Sequence, residues 1–206
     1  MIRRSLLLGL ALAAVTSGWL PGTAARADEA AEILPDIPLG KEDAPVTVIE
    51  YASYTCPHCA DFHDGVFPDL KRDYIDTGKV KFILREVYFD KYGLWAGMVA
   101  QCGGAPKYYG IAGMLFNGQR DWIGDGKDAT IAANLRKIGL KAGLTGDQIE
   151  TCLNDQKHAQ AMVASFQKNA QADGIDATPS FVIDGKKYGN MSYADFKKLL
   201  DEKLGG

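Results

Sequence analysis

Apolar positions along this chain follow two different periods, and the change from one to the other divides it into three stretches. Val46-Thr-Val-Ile-Glu-Tyr-Ala52 is β-branched and apolar on both faces, which predicts a central strand covered from each side. A helix is predicted over residues 57–76, bent near Gly65 and Pro68 and ended by Thr77-Gly78. Residues 80–89 are again apolar and β-branched and predict a second strand. From position 91 to about position 172 only helical spacing is found. Leu94, Met98 and Cys102 share one face, and Ile131, Leu135 and Ile138 mark another helix. Thr145-Gly-Asp-Gln148 is a capping box ahead of Ile149, Cys152 and Leu153. Ala159, Met162, Val163, Phe166 and Ala170 form a further stripe. Strand signals return at Phe181-Val-Ile183, followed by the hairpin turn Asp184-Gly185 and a returning strand from Lys186 to Tyr188. Ser192 caps a last helix carrying Tyr193, Phe196, Leu199 and Leu200. The order is β-α-β, a long helical block, then β-β-α: an α/β sheet domain interrupted by a helical insertion.

The first residues belong to none of this. Met1-Ile-Arg-Arg4 is basic, residues 6–15 are almost uninterruptedly apolar, and Ala25-Arg26-Ala27 has the form of a cleavage site. That order is a secretory signal, too short in its apolar part for a membrane span. The expected organisation is a cleaved signal peptide (residues 1–27), a sheet domain (28–90 and 173–206) and an inserted helical domain (91–172). Arg3-Arg4 leaves open whether the general or the twin-arginine route carries the chain. Residues 28–45 hold three prolines and read as an extended lead-in. The formal net charge is −3, and removing the signal takes three arginines and no acids, so the mature chain is more acidic still. No basic run is interleaved with aromatics, which argues against nucleic acid as a partner.

Export changes the reading of the four cysteines, because disulfides persist outside the cytosol. Three pairings are possible, and spacing favours Cys56–Cys59 with Cys102–Cys152. Cys56-Pro57-His58-Cys59 follows the first strand and opens a helix. Proline suits the first helical position, which makes Cys56 the N-cap. A cap side chain faces the N–H groups one or two residues further in, here those of His58 and Cys59, at the positive end of the helix dipole. A thiolate so placed is stabilised, attacks readily and leaves readily, and its disulfide is a stronger oxidant. His58 adds to this when protonated or hydrogen-bonded to the sulfur. Cys59, a turn further in, is the expected resolving cysteine. The rival is a metal site of Cys56, Cys59 and His63 on one helical face. It lacks a fourth ligand partner motif, so no metal is expected, and His63 reads as a polar residue beside the active-site helix.

Leu39-Gly40, Ala44-Pro-Val-Thr-Val-Ile-Glu-Tyr51, the Cys-Pro-His-Cys run with Ala60, Phe62 and His63, Thr178-Pro179 and the Phe-Val-Ile-Asp-Gly hairpin together resemble the DsbA family of disulfide oxidoreductases. The resemblance implies a thioredoxin-like fold and places a cis-proline loop at Thr178-Pro179 against the active cysteines. There the Thr178 backbone would pair with an extended substrate segment. It also implies an acidic residue under the site at Glu50, which shares a strand face with Val46 and Val48. A carboxylate there is desolvated and able to exchange the proton of Cys59. The pair Cys102 and Cys152 is similar to the second disulfide of alphaproteobacterial members. Gly124-Asp-Gly126 reads only as a turn, Asn190-Met-Ser192 as an incidental sequon, and Tyr108, Tyr109 and Met114 as helical core or groove lining.

The exchange chemistry is symmetric, so oxidase, reductase and isomerase share one site. The histidine beside Cys56 and the resemblance favour a periplasmic oxidase that introduces disulfides into exported proteins. Thr178 also suits reductases and isomerases, and a non-catalytic chaperone is a further alternative. The implied partners are reduced unfolded exported proteins and a DsbB-like membrane quinone reductase. A monomer needing no cofactor is expected, the two sulfurs carrying the electrons themselves.

Overall fold

The computed structural model describes residues 32–205. The predicted signal peptide and its cleavage site after Ala27 lie outside the described residues. Five strands form one mixed sheet in the order β1-β3-β2-β4-β5. These are β1 (Pro38–Leu39), β2 (Val46–Ala52), β3 (Val80–Glu86), β4 (Ser180–Ile183) and β5 (Lys186–Tyr188). β2 is central, parallel to β3 and antiparallel to β4. Its apolar run on both faces explains that position, since both of its neighbours' faces are covered too. One face is wholly buried through Val46, Val48 and Glu50. On the other, Tyr51, Val87 and Val182 form a smaller cluster with Ile49 and with Phe166 and Ala170.

Three elements differ from the sequence expectation. The lead-in is not merely extended: Pro38 and Leu39 pair antiparallel with Ile83 and Phe82, adding an edge strand. Tolerance of proline at a sheet edge, where its missing N–H costs no ladder bond, permits this. The helix read over residues 57–76 is three pieces: α1 (Pro57–Gly65), α2 (Phe67–Leu70) and a π-helical turn at Lys71–Ile75. The break falls between Gly65 and Pro68, because proline cannot donate to the preceding turn. β3 also stops at Glu86, three residues short of its predicted end.

Between β3 and β4 lie six helices: α3 (Lys91–Cys102), α4 (Ala105–Asn117), α5 (Gln119–Ile123), α6 (Asp128–Lys141), α7 (Gly146–Leu153) and α8 (Gln156–Ala172). α9 (Tyr193–Lys203) closes the chain. The fold is thioredoxin-like with a helical insertion. Thr145 and Gln148 form the reciprocal capping box at the start of α7. Gly124 and Gly126 both hold positive φ, 55° and 74°, in the turn between α5 and α6. Tyr108 is buried, whereas Tyr109 and Met114 are half-buried and line a groove between α4, α5 and α6. Under the sheet, Phe62 of α1 packs against Phe181 of β4 and Phe196 of α9, with ring centroids 4.9 and 5.8 Å apart. This aromatic cluster seats the first turn of α1 on the end of the central strand.

Cys102 and Cys152 are joined, tying the end of α3 to α7 across a separation of 50 residues. A crosslink closing that loop removes unfolded-state entropy corresponding to about 4 kcal/mol. Replacing both cysteines with alanine should therefore lower the unfolding free energy by up to about 4 kcal/mol in urea titrations. A double variant as stable as the parent would show that this link contributes nothing.

Candidate active site

Cys56 stands at the N-cap of α1 with extended backbone (φ −84°, ψ 119°), and Pro57 occupies the first helical position. Its own N–H is tied back to the Ser53 carbonyl at 3.1 Å, so the chain makes a tight turn on leaving β2. The thiol is half-buried, whereas Cys59 is fully buried, and both are free of disulfides. The two sulfurs differ sharply in acidity. Cys56 is lowered to about 5, chiefly by a hydrogen bond from the Cys59 thiol. Burial opposes that shift, and the Thr178 side chain and the backbone N–H groups of Cys59 and His58 add to it. Cys59 is pushed far up by its hydrogen bond to Cys56, by burial and by the charge of Glu50.

Cap geometry alone puts the weight on the helix amides, and that emphasis is corrected. No side-chain cap hydrogen bond is formed at Cys56, and the partner sulfur is the larger influence. The His58 side chain is 76% exposed, with Nδ1 3.9 Å from Asp61 Oδ2, and its backbone N–H adds to the lowering at Cys56.

Thr178-Pro179 is a cis peptide. β4 starts opposite the end of β2, with Ser180 paired to Tyr51, which brings this loop level with the turn leading to Cys56. The Thr178 carbonyl lies 3.5 Å from Cys56 Sγ and accepts from the thiol. The Ser180 hydroxyl donates to the Ala177 carbonyl at 2.7 Å and pins the loop. Glu50 is fully buried in β2, its Oε2 2.9 Å from Nε2 of His63. His63 is therefore a buried partner of Glu50, more than a polar residue beside the active-site helix. Its spacing from Cys59 was visible in the sequence, but nothing local announced that the strand carboxylate would face it.

Three further residues hold the active-site turn, and sequence reasoning did not single them out. Gln119, buried at the start of α5, donates from Nε2 to the carbonyls of Tyr54 (2.8 Å) and Cys56 (2.9 Å). Asp90 accepts from Thr55 Oγ1 at 2.6 Å while capping α3 through the N–H groups of Tyr92 and Gly93. Glu86, buried at the end of β3, accepts from the Tyr54 hydroxyl at 2.8 Å. Burial raises the Glu86 carboxyl above its usual range. All three are long-range contacts made by ordinary polar residues, so no motif marks them. Through Gln119 the helical insertion clamps the turn that carries Cys56. Hollows flank α1 on both sides, one of about 280 Å³ bordered by Asp61, Asp64 and Arg120, the other of about 380 Å³ bordered by Phe62, Val66 and Met191. Among the described residues no cluster of three metal-binding side chains occurs.

Replacing Gln119 with leucine leaves two carbonyls short of a donor and should cost about 1–3 kcal/mol of stability. Gln119→Glu, which points an acceptor at both carbonyls, should cost more. Urea midpoints unchanged in both variants would contradict the clamp.

Comparison with known proteins agrees with this geometry. The family described as Thioredoxin matches residues 33–202. A Rickettsia prowazekii protein assigned as a protein-disulfide oxidoreductase is 32% identical over 170 residues, covering 82% of this chain and 61% of the relative. The chain thus spans about three-fifths of the length of that curated relative. The crystal structure of Wolbachia pipientis alpha-DsbA1 superposes with a TM-score of 0.76 at 33% identity, covering 84% of this chain and 94% of that one. BdbD from Bacillus subtilis, in its oxidised form, gives 0.72 at 26% identity over 86% and 99% of the two chains. With a Cys-Pro-His-Cys turn at the head of α1, a cis-proline loop beside it and a helical insertion over it, the chain belongs to the DsbA family of the thioredoxin fold.

Proposed function

We propose that this chain is an exported thiol–disulfide oxidoreductase that gives its Cys56–Cys59 disulfide to reduced proteins in the periplasm. The observation that carries the reading is the unequal acidity of two adjacent sulfurs. One is held near pH 5 at a half-exposed helix start, and the other is pushed far up and buried. A disulfide is easily surrendered when one product thiolate is stabilised.

In the oxidised protein a substrate thiolate attacks Cys56 Sγ. The Cys56–Cys59 bond breaks, its electron pair passes to Cys59, and Cys59 takes up a proton from Glu50. A second substrate thiolate then attacks the substrate sulfur of the mixed disulfide, and Cys56 leaves as the stabilised thiolate. The substrate is oxidised by two electrons and the protein is reduced by two. A DsbB-like membrane quinone reductase is the proposed oxidant that restores the pair. The Thr178 backbone at the cis-proline loop would receive the substrate segment as an added strand.

Export rests on the leader read in residues 1–27, with cleavage after Ala27, and on membership of the DsbA family. No described helix is long and apolar enough to cross a membrane. In this scheme the sheet (28–90 and 173–206) carries the reactive pair, and the helical domain (91–172) holds its turn in place.

Equilibration with glutathione tests the direction of exchange. A potential near about −120 mV, typical of DsbA, supports the oxidase, whereas one near about −270 mV, typical of thioredoxin, makes the protein a reductase. Cys56→Ser should abolish oxidation of a reduced, unfolded substrate. Continued oxidation by that variant would sink the assignment.

A further inference from the structure

The partner of Glu50 has no place in the exchange steps above, yet it is built with care. His63 is buried, its side chain 4% exposed, and its ring stacks on Phe116 with centroids 3.9 Å apart and planes 7° from parallel. Phe67 lies 4.8 Å away and Phe62 meets the ring edge-on at 5.4 Å, so three aromatics fix its orientation. In that orientation Nε2 points at Glu50 Oε2, 2.9 Å away. Among the described residues Glu50 has no lysine or arginine within ion-pair distance. Its second oxygen, Oε1, is buried with no hydrogen-bond partner.

An oxygen without a partner on a buried carboxylate is costly. Its persistence needs a reason. The titratable groups facing the pair are Cys59 on α1 and Tyr109 on α4, and the charge of Glu50 pushes both upward. Of these, only Cys59 must lose and regain a proton in each cycle.

We propose that His63 is a positioning residue for proton exchange at Cys59. By donating Nε2–H to Oε2 it holds the Glu50 carboxylate in one orientation and leaves Oε1 free for the Cys59 proton. When Cys59 closes the pair, its thiol proton passes by way of a bridging water to Oε1, which the thiol does not itself touch, while Sγ attacks Cys56 Sγ. The Cys56–Cys59 bond forms, the bond from Cys56 to the other sulfur breaks, and that sulfur leaves with the electron pair. In the opposite direction Oε1 returns the proton to Cys59 as it departs. The imidazole touches no reacting atom. It stabilises the carboxylate by a hydrogen bond that a buried, otherwise unpaired charge would lack.

This inference rests on the exchange reaction proposed above, and the test separates the two. Reduced protein mixed with excess oxidised glutathione first forms a mixed disulfide at Cys56, in a step dependent on glutathione. Cys59 then closes the pair in a step independent of it, and quenched samples read by intact mass resolve both. His63→Phe keeps an aromatic ring against Phe116 but removes the donor. It should slow closure at neutral pH at least about tenfold, short of the about 10²–10⁴-fold that a proton-transfer group itself supplies. The first step should stay within about threefold of wild type, because Cys56 is not touched. His63→Gln keeps an N–H in nearly the same place and should restore closure to within about threefold.

Closure at the wild-type rate in His63→Phe, whatever its thermal stability, overturns the proposal, as does failure of His63→Gln to restore the rate. Should His63→Phe not fold, nitrogen NMR of the wild-type ring decides: Nε2 must carry its proton in both redox states, and a bare Nε2 overturns the role. If wild-type protein forms no mixed disulfide at all, the exchange function itself fails and His63 is not at issue.

Discussion

The chemistry of this molecule depends on the mutual influence of two unlike sulfurs set one turn apart at the start of α1. Each cysteine is the largest influence on the other's acidity, lowering Cys56 and raising Cys59. Burial opposes ionisation at both positions, so burial alone would leave both as inert thiols. What separates them is the supply of donors. Cys56 is lowered chiefly by its partner thiol, with lesser help from Thr178 and the amides of the helix start, while Cys59 faces the charge of a buried carboxylate. The result is a pair in which one member is always the better leaving group.

The surrounding fold keeps that contact in one geometry. Pro57 starts the helix without wasting a donor, so the chain turns sharply and sets the two cysteines one helical turn apart. The central strand β2 ends immediately before the turn, and β4 delivers the cis-proline loop beside it. From above, Gln119 of the insertion binds the turn through its carbonyls, and Asp90, just before the insertion, binds it through Thr55. From below, the Phe62, Phe181 and Phe196 cluster anchors α1 to the sheet. The insertion is therefore part of the site's mechanics as well as a cover over it.

Much of this was legible in the chain because it rests on local rules. The period change at position 91 marked the insertion, the Asp184-Gly185 turn marked the β4–β5 hairpin, and Thr145 with Gln148 marked the cap of α7. Proline after Cys56 fixed the helix start, and the strand phase of Glu50 put it on the buried face with Val46 and Val48. What escaped is long-range. Pro38 and Leu39 form a strand only because β3 offers them an open edge. Gln119 lies 63 positions from the carbonyl of Cys56 that it holds, and a glutamine carries no signal of such a role. His63 reads from sequence only as a polar residue beside the active-site helix, because its partner Glu50 sits on another element. Nor can sequence say that the His58 ring faces solvent beside Asp61.

The most direct test is the ionisation of Cys56 measured by thiolate absorbance in the reduced protein, with and without its neighbour. The account predicts a midpoint near pH 5 in the wild type. It predicts a clearly higher midpoint in Cys59→Ala, where the donating thiol is gone and only the amides and Thr178 remain. A wild-type midpoint near that of free cysteine, about 8.5, or one that Cys59→Ala leaves unmoved, would contradict it.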